Sequence, residues 1–392
     1  MKFKITLFDI ATILFSVFCL FPLLTSMNLF RFIVVIASIY ILLISFNIVV
    51  KKGSVSVLLL IISLSIASFI YYLLENKYGV NFFIHFTHLV LFIFIYEYYR
   101  IKDIKTMKNS FYVLLFFLFI SIVQTIIEVS SNMEYARYLA QNQDEIEVVG
   151  LSGGYGLIYA VMLVLLSIFS FHKRKIVFPI INRFFLLIIA ALIGYLIWKA
   201  GYFLALLITI FGVLLLVVGI KKNNIPIVSF ILIFIFGILS FFQDFLSNQI
   251  LESTYGTKYQ TKVQSIIEPN SISQFDDEFS ERESRYSRDL QLMIDYPIVG
   301  CWDFKLIGKH SFILDMLAEF GLVFGATFIY FLFIIPFRIM RKSEHIAFTQ
   351  SFVFFCGLLL FLLLNSFPIS LLPVIFIIFP YSNYVISKQW RK

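Results

Sequence analysis

The run Phe203-Leu204-Ala205-Leu206-Leu207-Ile208-Thr209-Ile210-Phe211-Gly212-Val213-Leu214-Leu215-Leu216-Val217-Val218-Gly219-Ile220 decides the fold class, because it contains no charged side chain. Outer-membrane barrel strands are short and alternate polar with apolar positions, and this run does neither. A helix satisfies its own backbone groups in lipid, so an uninterrupted apolar run of this length reads as a membrane-crossing helix.

The rest of the chain repeats that pattern. Of 392 residues, 60% are hydrophobic and 14% charged, and the mean hydropathy is +0.94. A soluble domain carries about 45–50% apolar and about 25% charged residues. The excess cannot be hidden in one core, which excludes a soluble globular enzyme. With 17 Gly and 9 Pro against 49 Phe, collagenous and disordered classes are excluded too. Apolar runs stand between charged stretches at 5–24, 30–50, 55–74, 81–99, 110–128, 151–171, 178–197, 202–220, 226–243, 312–335, 347–365 and 369–387. The expectation is an all-α integral membrane protein of about 12 transmembrane helices forming one membrane domain. Helices one to nine fall in 1–243, a large extracytoplasmic loop in 244–311, and helices ten to twelve in 312–392. The first run follows Lys2 and Lys4 as a signal peptide would. It is longer than the usual ~7–15 apolar residues and no small-x-small cleavage site precedes Arg31, so it reads as a retained anchor.

Basic residues set the orientation. With the N-terminus cytoplasmic, 19 Lys and Arg fall on that side and 11 on the other, Arg183 lying within a span. Every cytoplasmic segment then carries at least two, and each short outer loop at most one, as the positive-inside rule requires. Both termini are expected in the cytoplasm of a bacterial inner-membrane protein. The net charge of +8 becomes a collar facing anionic lipid and calls for no nucleic-acid partner. Two outer segments are long. Residues 129–150 form a modest acidic loop, and residues 244–311 hold eleven acids against seven bases. Long loops are usually functional, so the chemistry is expected on that face.

Motifs of soluble enzymes are absent: there is no phosphate-binding loop, zinc-protease signature, nucleophile elbow or calcium loop. Cys19 and Cys356 lie in apolar spans and Cys301 in the long loop, which suggests neither a disulfide frame nor a metal site. His85 and His88 share one helix face but lack a third ligand, so they read as a packed pair. His172 and His345 belong to cytoplasmic charge runs. His310 differs, because it closes the long loop just before Ser311-Phe312-Ile313-Leu314-Asp315-Met316-Leu317-Ala318-Glu319-Phe320-Gly321. Read as a helix, this stretch puts His310, Leu314, Leu317 and Gly321 on one face and Asp315 with Glu319 on another. Two carboxylates in the first turns of a membrane helix are costly unless paired or facing a wet cavity.

The same loop contains Ser280-Glu281-Arg282-Glu283-Ser284-Arg285-Tyr286-Ser287-Arg288, followed by Asp295-Tyr296-Pro297-Ile298-Val299-Gly300. Together the two stretches resemble the bacterial O-antigen polymerase and O-antigen ligase family. That family shows a His followed by Asn, Ser or Gln, then a Gly ten residues after that second position, at the start of a late helix. His310, Ser311 and Gly321 fit, and Phe324 stands where a small residue is often repeated. It also shows an Arg, an aromatic four residues on, and a Pro-x-x-Gly ending eighteen residues after the Arg. Arg282, Tyr286, Pro297 and Gly300 fit, with Tyr286 in place of a Trp. Trp198-Lys199-Ala200-Gly201-Tyr202 looks like the family's Ser-Arg-Gly element, with Lys199 where an Arg is usual. The Gly-rich stretch 150–156 lacks the family's Pro-Asn and matches poorly; the resemblance is strongest over 280–325.

The resemblance implies a metal-independent glycosyltransferase without a cofactor. Its donor would be an undecaprenyl-diphosphate-linked oligosaccharide, transferred to an acceptor sugar hydroxyl at the outer face of the cytoplasmic membrane. Arg282 and Arg285 would grip the diphosphate, a task for which a planar guanidinium is suited. His310 would be the base, since an unperturbed imidazole, with a pKa of about 6.5, is largely neutral at pH 7. Arg288, Lys199, Tyr286 and Glu319 would contact substrate. Implied partners are the lipid-linked donor, membrane lipid, a chain-length regulator and a flippase. Polymerisation of O-antigen or capsule repeats is preferred to ligation onto lipid A core, because polymerases serve more envelope types. A transporter or flippase fits less well, since a two-halved transporter keeps its longest loop central and cytoplasmic.

The charge asymmetry gives the first test. In a background without its three cysteines, single cysteines placed within 250–280 should react with a membrane-impermeant thiol reagent in intact cells. Lys221→Cys and Lys342→Cys should stay unlabelled, and the reverse pattern would invert the topology.

Overall fold

A computed structural model describes residues 5–21, 24, 27–52, 62–63, 65–66, 69–70, 79–131, 135, 151–168, 180–224, 276–303 and 305–389. Among these residues all regular structure is helical and there is no strand. In chain order the elements are α1 (Leu7–Leu20), α2 (Asn28–Lys52), α3 (Gly79–Lys102), α4 (Lys108–Ser131), α5 (Tyr155–Ile168), α6 (Ile180–Ala200) and α7 (Phe203–Val218). They are followed by α8 (Asp276–Asp295), α9 (Phe312–Phe320), α10 (Ala326–Lys342), α11 (His345–Leu364), α12 (Leu371–Pro373) and α13 (Phe379–Gln389). A 3₁₀ turn at Ile104–Met107 links α3 to α4, and π turns link α9 to α10 and α12 to α13.

Among the described residues four stretches are long and apolar enough to cross a membrane: Asn28–Phe46, Ile104–Ser131, Phe312–Lys342 and Ile346–Leu364. Leu7–Leu20, Tyr155–Ile168, Leu187–Ala200, Leu204–Val218 and Leu371–Ser387 are shorter apolar helices. The expected run at 226–243, most of 55–74, most of the acidic loop 129–150 and residues 244–275 lie outside the described residues. Phe32, Val35, Ile39 and Leu43 of α2 are exposed, as are Leu214 and Val218 of α7. Apolar surface of this extent is a liability in water and the natural outer face of a helix in lipid.

The helix of the run at 203–220 stops at Gly219, whose φ of 79° lies in the left-handed region. Its middle is held close to two neighbours. A Cβ added to Gly212 would lie 2.5 Å from Leu166 Cδ2 and 3.2 Å from Val353 Cγ1, so α5, α7 and α11 approach one another there. Gly357 of α11 meets the same Leu166, with an added Cβ 3.0 Å from Cδ1. Small residues permit such close contact where lipid tails offer helices no hydrophobic reason to associate.

Polar ties join the helices at both ends of the bundle. At one end the Thr349 hydroxyl accepts the Ile220 N–H at 2.9 Å and donates to the Ile220 carbonyl at 2.8 Å. Asn383 donates to the Ala347 carbonyl at 3.0 Å and to Ser351 at 2.6 Å, and it accepts from Ser343 at 3.1 Å. The Thr6–Asp9 capping box starts α1, and the same Asp9 receives the Tyr99 hydroxyl at 2.6 Å. Lys221, Arg341 and Lys342 flank these ties, as do Arg100 and Lys105. At the other end the Phe312 N–H reaches the Asn365 carbonyl at 3.0 Å, Ser370 donates to the Gly156 carbonyl at 2.8 Å, and the Gly153 N–H reaches Thr125 at 3.0 Å. The basic ends and the start of α9 are thus opposite. The span read as 312–335 continues to Lys342, because Pro336 is accommodated inside α10 instead of ending it.

The pairing that positions the site is α8 on α9. Leu292, Ile307 and Ala318 form a small buried cluster, joined by Met293 and Cys301, that seats the charged helix α8 against the apolar one.

Candidate functional site

The stretch from His310 to Gly325 is not one continuous helix. Ser311 is the N-cap of α9 and its hydroxyl accepts the Leu314 N–H at 3.3 Å, so His310 lies just outside the helix and does not share its face with Leu314 and Leu317. The helix ends at Gly321, whose φ is 63°, and a π turn over Gly321–Gly325 leads into α10. The break has a cause in backbone packing. Residues 297–302 lie along the end of α9, with Cys301 N–H on the Ala318 carbonyl at 3.0 Å and Trp302 N–H on the Glu319 carbonyl at 3.0 Å. In return the Leu322 N–H reaches the Pro297 carbonyl at 2.9 Å and the Val323 N–H the Ile298 carbonyl at 3.1 Å. Carbonyls left open by the helix break are thereby satisfied.

Glycine is required at both crossing points. Gly300 has a φ of 81°, and a side chain there would run into the Glu319 carbonyl. A side chain at Gly321 would run into the Ile298 carbonyl and lie 2.5 Å from the Gly300 nitrogen. The Pro-x-x-Gly of one stretch and the Gly of the other are therefore two halves of one backbone clasp. Trp302 and Lys309 adopt left-handed conformations, with φ of 54° and 62°. Such positions are uncommon for non-glycine residues. The Trp302 ring packs edge-on against Phe320 and Phe324, with centroids 5.1 and 5.4 Å away.

This clasp carries the chain to His310, and α8 carries Arg285 to meet it. Arg285 Nη1 lies 2.6 Å from His310 Nε2, and both side chains are partly buried. A guanidinium has no acceptor, so Arg285 donates and Nε2 must be the unprotonated nitrogen, leaving any proton of a neutral ring on Nδ1. Two residues separated by 25 positions, singled out separately in the sequence, are in contact.

The other candidates are placed as follows. Arg282 lies on α8, one turn before Arg285, and its side chain is outside the described residues. Tyr286 is partly buried on α8, whereas Arg288 is exposed, so the arginine row turns from the packed face to the surface. Glu319 is buried at 3% exposure beneath the clasp. Lys199 ends α6, which packs on α4, α5 and α7, and its ammonium stands 5.8 Å from the Tyr195 ring centre. His88 stacks on Phe15 and Phe18 at 5.4 and 6.3 Å, in keeping with a packing role. Burial pushes the Cys301 thiol up, away from the reactive thiolate form. Among the described residues no three His, Cys, Asp or Glu side chains are grouped as a metal would need.

Sequence reasoning passed over Asp289, counted only as one acid of eleven in the loop. It is fully buried, and its Oδ1 accepts the Gly308 N–H at 2.7 Å. The signal was present: Asp289 lies four residues after Arg285 and three before Leu292, on the packed face of α8.

Compared with protein-family models, curated proteins and solved structures, the chain matches none.

The clasp gives a stability prediction. Gly300→Ala should lower the melting temperature of the purified protein, because a left-handed alanine alone costs about 1–2 kcal/mol and its methyl also meets a backbone carbonyl. Gly194→Ala on α6, where an added Cβ meets nothing within 4 Å, should leave it unchanged or raise it. Equal stability of the two variants would contradict the clasp.

Proposed function

We propose that this chain is a repeat-unit polymerase of the bacterial cell envelope. In this reading it spans the cytoplasmic membrane about twelve times with both termini inside, and residues 244–311 form the large outer loop. It takes a glycan from undecaprenyl diphosphate and joins it to an acceptor sugar hydroxyl on the outer face. The observation that carries the reading is the contact of Arg285 with His310 at the end of the bundle opposite the basic collar. A cation and a neutral imidazole side by side supply the two things such a transfer needs, a grip on a diphosphate leaving group and a base for the incoming hydroxyl.

The chemistry follows from those two groups. The bond between the anomeric carbon and the diphosphate oxygen breaks, and the electron pair leaves with the lipid diphosphate, whose growing charge the guanidinium stabilises. The acceptor oxygen forms the new bond and its proton passes to His310. In the contact as it stands, the lone pair of Nε2 is occupied by Arg285. A diphosphate oxygen is a stronger acceptor than imidazole for the same donor, so donor binding would draw the guanidinium away and free Nε2 for the acceptor hydroxyl. Arg282 and the exposed Arg288 would extend the grip, and Lys199 and Tyr286 would line the glycan path, from which Glu319 is withdrawn by its burial beneath the clasp.

The test is an assay with purified protein in lipid and an undecaprenyl-diphosphate-linked repeat. His310→Gln should reduce chain growth by about 10²–10⁴-fold, the usual cost of a lost general base, and remove one limb of the pH profile. Arg285→Ala should abolish growth, and Arg285→Lys should restore only part of it, because a point charge replaces a two-pronged donor. Full growth by His310→Gln, or by an Arg282→Ala, Arg285→Ala double variant, would overturn the assignment.

A further inference from the structure

The reaction outlined above gives Asp289 no task, yet this residue is placed with great economy. It follows Arg285 by one turn of α8 and has no exposed surface. Its Oδ1 accepts the Gly308 N–H at 2.7 Å, while its Oδ2 is buried and receives no hydrogen bond from any N–H or O–H. Beside it stands the carboxyl of Asp315, in the first turn of α9, for the two carboxyls accept consecutive backbone N–H groups of one connection. Asp315 is 6% exposed, and its Oδ1 accepts the Lys309 N–H at 3.0 Å. There is no slack between α8 and the connection at 308–309. A Cβ on Gly308 would lie 2.6 Å from Asp289 Oδ2 and 2.8 Å from the Arg285 carbonyl oxygen.

Two buried carboxylates in contact cannot both keep their charge, and the usual resolution is one proton held between them. Burial pushes the Asp289 carboxyl up, while the Gly308 N–H, the Asp315 carboxyl and the Arg288 charge pull it down. The charged and titratable groups around the pair are Arg285 and Arg288 on α8, Lys309 and His310 on the connection, and Glu319 one turn along α9. The ion pairs found among the described residues involve Glu97 and Asp103, not this pair.

We propose that Asp289 and Asp315 share one proton and act together as positioning residues, a latch that docks α8 onto the start of α9 and so holds Arg285 against His310. The latch itself stands apart from the proposed transfer reaction; its effect on turnover rests on that reading. One oxygen of each carboxyl fixes a backbone N–H of the 308–309 connection, and the remaining pair of oxygens closes across the proton. The sign of its pH dependence follows. A carboxyl that holds its proton more tightly in the folded chain stabilises the docked form in acid, and that contribution falls as pH rises and the proton is stripped. Two bare carboxylates would then repel, and α8 would loosen from α9.

Infrared spectroscopy of the purified protein in lipid reads the shared proton directly. At pH 7 the wild type should show a protonated-carboxyl C=O band that is missing from both Asp289→Asn and Asp315→Asn. Asp289→Asn keeps the latch without the proton, because its amide N–H can donate to Asp315 while its oxygen still accepts from Gly308. Its turnover at pH 7 should stay near the wild-type value, with the alkaline decline shifted up or removed. Asp289→Ala leaves Asp315 and the Gly308 N–H unpaired and should lose about tenfold or more. A carboxyl band unchanged in both Asn variants, or Asp289→Asn as damaged as Asp289→Ala, would overturn the latch. If the band behaves as expected but the wild type transfers no glycan, the latch stands and the reaction assigned to the site fails.

Discussion

The end of the bundle that carries His310 depends on one close approach, the crossing of the backbone at 297–302 with the end of α9 at 318–323. Four hydrogen bonds between main chains hold it, and the two glycines at the crossing leave no space for side chains. Everything with chemical potential is hung from that point. The connection from the clasp runs through left-handed Lys309 to His310, Ser311 caps α9, and the apolar cluster of Leu292, Ile307 and Ala318 brings α8 alongside. A charged helix such as α8 has little reason of its own to lie on an apolar one. Burying its inner face requires that the polar groups there be matched, and Gly308 and Lys309 supply backbone donors for that purpose.

The helices themselves were legible because charge and apolarity alternate along the chain on the scale of a bilayer. Most expected runs agree with helices to within a few residues, as 203–218 does with the expected 202–220. Among the described residues, the ties through Thr349, Asn383 and Asp9 gather the basic stretches at 100–105, 221 and 341–342 at one end of the bundle. Arg285 and His310 were each singled out from neighbouring stretches of one loop, but their direct contact emerges only in the structure.

Three features could not be read from residue types alone. The break at Gly321 depends on a positive φ imposed by a segment twenty residues upstream, and a glycine in an apolar run is equally well read as a packing position. The place of His310 outside the helix turns on Ser311, whose cap is a common helix-start signal but not a compulsory one. Asp289 was hidden by its company. In an acidic loop one more carboxylate looks solvated, and only the packing of α8 shows that Asp289 faces inward.

In the proposed reaction a neutral His310 is held at Nε2 by Arg285 until a diphosphate competes for the guanidinium. The most direct measurement is nitrogen NMR of the protein with ¹⁵N-labelled histidine, the His310 signals being assigned among the five histidines by their loss in His310→Gln. The expected result is a neutral ring protonated at Nδ1, with an Nε2 resonance that moves both in Arg285→Ala and on addition of a polyprenyl diphosphate to the wild type. A ring protonated at Nε2, or an Nε2 resonance indifferent to Arg285 and to the diphosphate, would contradict it.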